Sequence, residues 1–80
     1  MIIEVNGDVI KVESIIKVTK IKPPAFEPLI RKFSVHVNNN TFTEIMKPQD
    51  QEAELEEIRQ KIIQIWNDTA NFGNEIIKLD

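Results

Sequence analysis

The feature that most constrains this chain is an apolar stripe with helical spacing in its second half. Apolar or small side chains recur at steps of three and four residues, at Leu55, Ile58, Ile62, Ile65 and Thr69. Ile63 and Trp66 widen the stripe, and most of the remaining positions are charged or carry amides. This period predicts an amphipathic helix from Asp50 to Asn67, with Asp50 as its N-cap. Such a helix is stable in a small protein only when its apolar side is covered.

The start of the chain is predicted to provide part of that cover. Apolar residues alternate on both sides of Asn6-Gly7. Because Asn-Gly readily adopts the two positive φ angles of a type I′ turn, we predict a β-hairpin here. Pairing around a two-residue loop sets Ile3 opposite Ile10 and Glu4 opposite Val9.

The alternation is interrupted at Glu13 and Ser14, which indicates a corner or a β-bulge leading into a third strand, or a bent continuation of the second strand. Residues 15–22 resume the alternation, and their lysines are typical of an edge strand. Three prolines between residues 23 and 28 exclude a regular helix or a central strand, so this segment is predicted to be a loop. We expect Phe26 to tuck back from the loop into the core; the alternative is an exposed ring.

A second hairpin and an ambiguous terminus complete the pattern. Two further strands are predicted at residues 29–37 and 41–46, joined by a turn at Asn38-Asn39-Asn40. Asparagine suits this turn because it tolerates the left-handed conformation. Residues 75–79 are apolar enough for a short strand, a docked tail or a short helix, and the sequence leaves these alternatives open.

These elements predict one α+β domain covering residues 1–80. Residues 1–47 form a small antiparallel sheet of two hairpins with about five strands, the helix covers about 50–67, and 68–80 form a C-terminal tail. In this scheme one C-terminal amphipathic helix covers the sheet. Whether the sheet closes into a barrel stays open.

Composition is that of an ordinary globular domain, with 41% hydrophobic and 29% charged residues in a chain of 80. The absence of cysteine excludes disulfides, thiol catalysis and cysteine zinc sites. Met1-Ile2-Ile3-Glu4 lacks the basic region and long apolar run of a signal peptide. No segment approaches the roughly 18 apolar residues of a membrane-spanning helix. We therefore expect a cytoplasmic protein with no membrane partner.

The net charge of −3 is unevenly distributed. Residues 1–47 carry seven Lys or Arg and five Asp or Glu, a net of +2, whereas residues 48–80 carry three and eight, a net of −5. The basic sheet half and the acidic helix half either attract each other or present two different faces to partners.

The order of elements resembles that of small bacterial and phage proteins of unknown function. The resemblance rests on four features: two strands joined by Asn-Gly, the stretch VESIIKV, the hairpin FSVHVNNNTFTEI and an amphipathic helix with Trp66 near its end. The outline over residues 1–67 is similar to a reduced pleckstrin-homology-like domain, although a full barrel of that family has more strands. The resemblance implies binding rather than catalysis and carries over no specific residues.

Side chains suited to catalysis are few. His36 is the only histidine, and its neighbours in the alternation are Ser34 and Thr43 rather than a carboxylate. No second histidine and no cysteine exist to complete a metal site, and the two isolated glycines form no phosphate-binding loop. We therefore predict a protein that is not an enzyme, with no catalytic residues, no metal and no cofactor.

Two surfaces are candidates for binding a partner. The first is basic and comes from the segments around the proline loop, with Lys20, Lys22, Arg31 and Lys32 predicted to converge on one sheet edge. Such an edge suits a nucleic-acid backbone, although edge protection and solubility are the simpler explanation. The second is Ile63 with Trp66, which is expected in the core unless the widened stripe pairs across the two-fold axis of a homodimer.

We accordingly expect a small non-enzymatic protein-interaction module that docks through a strand edge or a helix face. Its partner is expected to be a protein, with a second copy of the chain among the candidates. A small nucleic-acid-binding protein that uses the basic edge is the alternative.

Overall fold

The computed structural model describes residues 1–5, 7–68 and 76–79. Within them, six strands form two three-stranded sheets, and one α-helix follows the second sheet in the chain. The α+β class and the C-terminal helix predicted from the sequence are therefore confirmed. The elements are β1 (Ile2–Val5), β2 (Asp8–Lys11), β3 (Ile15–Val18), β4 (Ile30–Val37), β5 (Phe42–Pro48), α1 (Glu52–Asn67) and β6 (Ile76–Leu79).

The first sheet has the strand order β2-β1-β6. Strands β1 and β2 pair with Ile3 opposite Ile10 and Glu4 opposite Val9, the register that the Asn-Gly loop predicts. Gly7 has a φ of 84°, a conformation that glycine adopts without steric cost. Strand β6 lies on the other side of β1 and runs parallel to it, with Val5 opposite Leu79. The ambiguous terminus is thus a strand from residue 76, and residue 75 lies outside the described residues.

A short 3₁₀ turn at Val12–Ser14 leads from the first sheet to the second. It is held from both sides, since Val12 donates its amide to the Met1 carbonyl and Asn38 donates to the Ser14 carbonyl, each at 3.0 Å. The corner expected at Glu13 and Ser14 is therefore confirmed.

The second sheet has the order β3-β4-β5, with antiparallel pairing throughout. A register shift between Ile15 and Lys17 marks a bulge, which leaves Ile16 exposed. Because the bulge inserts one residue, the simple alternation predicted for residues 15–22 is wrong, and β3 ends at Val18. The β4–β5 hairpin is confirmed, with Asn40 at a φ of 61° in its turn.

Helix α1 begins two residues later than predicted. Gln49–Gln51 form a 3₁₀ turn that contains Asp50, and the N-cap position is Gln51 with no side-chain hydrogen bond. Asp50 as N-cap is therefore wrong: strand β5 runs on to Pro48, and the Gln49 amide donates to the Leu29 carbonyl at 2.7 Å. This hydrogen bond keeps the chain beside the start of β4 through the 3₁₀ turn, before the helix begins.

Both sheets and the helix contribute to one hydrophobic core. The predicted stripe is confirmed at its described positions, which are buried, while Thr69 lies outside them. The core residues are Met1, Ile3, Val5, Ile10, Val12, Ile15, Phe33, Val35, Ile45, Leu55, Ile58, Ile62, Ile65 and Leu79. In the part of the chain that the structure describes, no helix has the length and apolar character needed to cross a membrane.

Phe26 is not part of this core, so the expectation that it tucks inward is wrong. Its side chain is 95% exposed. The proline loop is closed on itself, since Glu27 donates its amide to the Pro24 carbonyl and Ile30 donates to the Glu27 carbonyl at 3.2 Å. The loop therefore turns at the end of the sheet, where no core surface lies beneath the ring.

Candidate interaction surface

Arg31, one of the predicted basic residues, is engaged within the domain. Its Nε donates to the Glu52 carboxylate at 2.9 Å, and its Nη1 donates to the Pro28 and Ile30 carbonyls at 2.7 and 3.0 Å. Only 19% of its side chain is exposed. Because these contacts join β4 to the first turn of α1 and close the proline loop, Arg31 has a structural role in this arrangement.

Lys32 and Lys22 lie directly opposite each other. Lys22 donates its amide to the Lys32 carbonyl at 2.9 Å, and Lys32 donates in return at 3.0 Å. The Lys32 ammonium pairs with Glu44 of β5 at 2.5 Å, whereas Lys20 and Lys22 are exposed.

The predicted basic edge is thus divided. Neighbouring strand residues point to opposite faces, so Arg31 and Lys32 cannot share one surface. Arg31 and Lys32 already hold carboxylates of this chain, which leaves Lys20 and Lys22 as its exposed members.

The helix surface predicted around Ile63 and Trp66 is half-buried. Trp66 packs against the core cluster, as expected for a core residue at the margin of the stripe. Along the same helix, Arg59 donates its Nε to the Thr19 carbonyl at 2.8 Å and its Nη1 to Glu56 at 3.1 Å. The contact with Thr19 holds α1 against the end of β3, and the contact with Glu56 lies within the helix.

The second sheet has an inner face and an outer face that differ in character. Phe33, Val35 and Ile45 are buried on the inner face, beneath the helix. The outer face carries the alternate residues of the paired strands, including Phe42 opposite His36 and Met46 opposite Lys32. Phe42 and Met46 are 54% and 51% exposed. The outer face therefore mixes large apolar side chains with charged ones.

Exposed apolar side chains continue around the end of this sheet where β4 begins and β5 ends. Leu29 is 73% exposed and shares an open cleft of about 400 Å³ with Pro48, Gln49 and Asp50. A second cleft, of about 240 Å³, is lined by Ile30, Met46, Lys47 and Pro48. Pro48 joins the two clefts, and we call the apolar residues that line them, Leu29, Ile30, Met46 and Pro48, the open-end surface.

Sequence reasoning did not single out the open-end surface, although one signal for it was present. Glu44 and Met46 alternate with Ile45, so burial of Ile45 forces Met46 to the opposite face. The position of Leu29 had no comparable signal, because it depends on how the proline loop closes. Phe26, in the same loop, adds a further exposed ring.

His36 lies on the outer face of the second sheet, beside Phe42. Its ring stacks on Phe42 with a centroid separation of 5.3 Å and an interplanar angle of 29°. Across residues 1–5, 7–68 and 76–79, no three His, Cys, Asp or Glu side chains are grouped in a way that would hold a metal ion.

Comparison of the chain with protein-family models, with curated proteins and with solved structures gives no match. The pleckstrin-homology-like outline and the likeness to bacterial and phage proteins therefore stay predictions.

Proposed function

We propose that this chain is a small non-enzymatic protein-interaction module and that its partner docks on the exposed side of the second sheet. The observation that carries the proposal is the concentration of exposed apolar side chains there, on the open-end surface and at Phe42. A group of exposed apolar side chains on one side of a small domain is typical of interaction sites.

The charged residues around this surface fit a protein partner better than a nucleic acid. Lys32 pairs with Glu44, Arg31 pairs with Glu52, and Lys47 lies 3.9 Å from Glu54. A nucleic-acid surface needs several cations that are free to contact phosphates, and the net charge of the chain is −3. We place the proposed role in the cytoplasm, where a chain without cysteine is suited to the reducing conditions.

A capture experiment with paired variants tests the proposal. The chain carries a C-terminal tag, because its N-terminal amino group binds Glu13, and the lysate is divided into nuclease-treated and untreated halves. Wild type is compared with Leu29→Lys and with the control Val9→Lys, which places the same charge at a 65% exposed position of the first sheet. We expect a specific protein that survives nuclease treatment, is retained by Val9→Lys and is lost with Leu29→Lys.

Three outcomes would contradict this proposal. Loss of all bound material on nuclease treatment would favour the nucleic-acid alternative, with Lys20 and Lys22 as its first residues to test. Equal capture by both variants would remove the open-end surface from consideration. A chain that captures no specific protein would contradict the docking of a partner on the open-end surface.

A further inference from the structure

The free edge of β5 can be located from the hydrogen bonds on the other side of the sheet. Lys32 exchanges backbone hydrogen bonds with Lys22, so its amide and carbonyl point away from β5. Val37 donates its amide to the Thr41 carbonyl at 3.0 Å, so the odd-numbered residues of β4 point toward β5. Because backbone groups alternate along a strand, the even-numbered residues of β5 point to the opposite edge.

The backbone groups on that edge belong to Phe42, Glu44 and Met46. Among the described residues, none forms a backbone hydrogen bond with these three on that side. The edge has a defined length, since Pro48 has no amide to donate and the turn at Asn38–Asn40 ends the hairpin at the other side. Helix α1 lies on the inner face of the sheet and crosses from Lys47 toward Thr19, away from Phe42.

We infer that this edge pairs with the same edge of a second copy of the chain. The inference rests on the proposed function and adds a second copy of the chain, bound at this edge, to the protein that docks on the open-end surface. Antiparallel pairing of β5 with itself, centred on Glu44, sets Phe42 opposite Met46 of the second copy and Met46 opposite Phe42 of the second copy. The outward amides and carbonyls then meet in pairs, and the two three-stranded sheets become one continuous sheet.

The side chains on the outer face are self-complementary in this register. Each contact between Phe42 and Met46 covers two large apolar side chains that are about half exposed in the single chain. Thioether sulfur packs favourably against aromatic rings, and aromatic pairs across strands stabilise sheets. Shifting the register by two residues would set Phe42 opposite Glu44 or opposite Pro48 of the second copy and lose this match.

The ion pair of Glu44 with Lys32 reduces the repulsion between the two Glu44 carboxylates that meet at the two-fold axis of the proposed dimer. The pairing brings Glu44 close to Glu44 of the second copy, which would be unfavourable for two unpaired carboxylates. Each Glu44 is already held by the ammonium of Lys32 in its own chain at 2.5 Å. The outer face at the axis therefore carries two ion pairs rather than two free negative charges.

The interface is short, so the dimer is expected to be weak. One strand edge buries much less than the roughly 1,200–2,000 Å² of a stable interface. The dissociation constant of the dimer is therefore expected to lie between about 10 and 500 µM. Both copies use the same edge, so the pairing is closed by its two-fold axis and assembly stops at two copies.

Sedimentation equilibrium from about 10 µM to about 1 mM tests the inference. Wild type is expected to shift from monomer to dimer, and Met46→Lys and Phe42→Lys are expected to weaken the dimer at least about tenfold. Val9→Lys is the control, because it adds the same charge at the edge strand of the other sheet. Circular dichroism confirms that every variant is folded.

Amide hydrogen exchange gives a second readout. In the dimer, the amides of Phe42, Glu44 and Met46 are expected to exchange more slowly as concentration rises, while the amide of Val9 is unaffected. A wild type that is monomeric near 1 mM, a dimer that Met46→Lys leaves intact, or unchanged exchange at the three amides would overturn the inference. If the chain is monomeric and Leu29→Lys still abolishes capture of another protein, the proposed function stands and only this dimer fails.

Discussion

The two sheets of this domain share one core but differ in what they expose. The first sheet is built from short strands whose inward residues, Ile3, Val5 and Ile10, are buried, and it exposes Val9 and Ile76 on its two edge strands. The second sheet is longer, contains a bulge at Ile16 and carries exposed apolar side chains on its outer face. Both sheets fill the same hydrophobic cluster with their inner faces.

This difference suggests that the residues needed for stability and the residues available for binding lie on different faces of the domain. A chain of 80 residues buries only about 60% of the surface of its unfolded form, so nearly all of its inward apolar residues are needed for folding. The outer face of the second sheet is the larger surface left over. Its apolar residues do not contribute to the core, which makes them candidates for a role outside folding.

The largest expected effect tests whether the two sheets depend equally on the shared core. Ile3 of β1 and Ile45 of β5 are 0% and 1% exposed, so the same substitution can be made once in each sheet. Ile3→Ala and Ile45→Ala are each expected to lower the free energy of unfolding by about 2–5 kcal/mol, since each leaves a cavity. Urea denaturation followed by circular dichroism measures the change.

Milder substitutions cover the case in which an alanine variant fails to fold. Ile3→Val and Ile45→Val are each expected to cost about 0.5–1.5 kcal/mol. All four variants are expected to unfold in a single transition, because one cluster connects the sheets. A full effect in one sheet with almost none in the other, or two separate transitions, would show that the sheets are independent.

A smaller effect sharpens the comparison within the first sheet. Leu79 of β6 is 6% exposed, and Ile76 of the same strand is 66% exposed. Leu79→Ala is expected to lower the free energy of unfolding by about 2 kcal/mol, at the low end for a buried leucine because a short edge strand relaxes around the cavity. Ile76→Ala is expected to change it by less than about 0.5 kcal/mol. Equal effects of the two substitutions in urea denaturation would mean that β6 does not pair with β1 in solution.

The fold could be predicted best where local sequence determines geometry. Asn6-Gly7 was sufficient to predict the register of Ile3 with Ile10, since the loop length and the alternation allow one pairing. The helical stripe was sufficient to predict the burial of Leu55 and Ile62. In these cases propensity, turn type and periodicity all favour the same structure.

The rest depended on contacts between distant segments. The β6 strand pairs with β1 across nearly the whole chain, and no local pattern distinguishes a strand from a tail there. Asp50 was a suitable N-cap by type, but Gln49 is held beside Leu29 and moves the helix start. The division of the basic edge likewise depends on carboxylates of other elements, Glu44 and Glu52, that the spacing of the lysines does not reveal.

The smallest expected effect concerns the corner that joins the two sheets. The Met1 amino group donates to the Glu13 carboxylate at 2.5 Å. This hydrogen bond lowers the pKa of Glu13 from its usual 4.5, and the backbone hydrogen bond of Glu13 lowers it further. Because the folded pKa lies below the unfolded one, the stabilisation is present above about pH 4.5 and is lost as the pH falls through the folded pKa.

Glu13→Gln is therefore expected to destabilise the domain slightly near about pH 7, and the difference from wild type should disappear as the pH falls below the pKa of Glu13 in the folded domain. The effect is small because 48% of the Glu13 side chain is exposed to solvent, which screens the ion pair. Urea denaturation at several pH values measures it, with Glu27→Gln in the exposed proline loop as control. Acetylation of the Met1 amino group removes its positive charge and should reproduce the Glu13→Gln result. A Glu13→Gln difference that does not change with pH would mean that the ion pair between the Glu13 carboxylate and the amino group does not stabilise the corner.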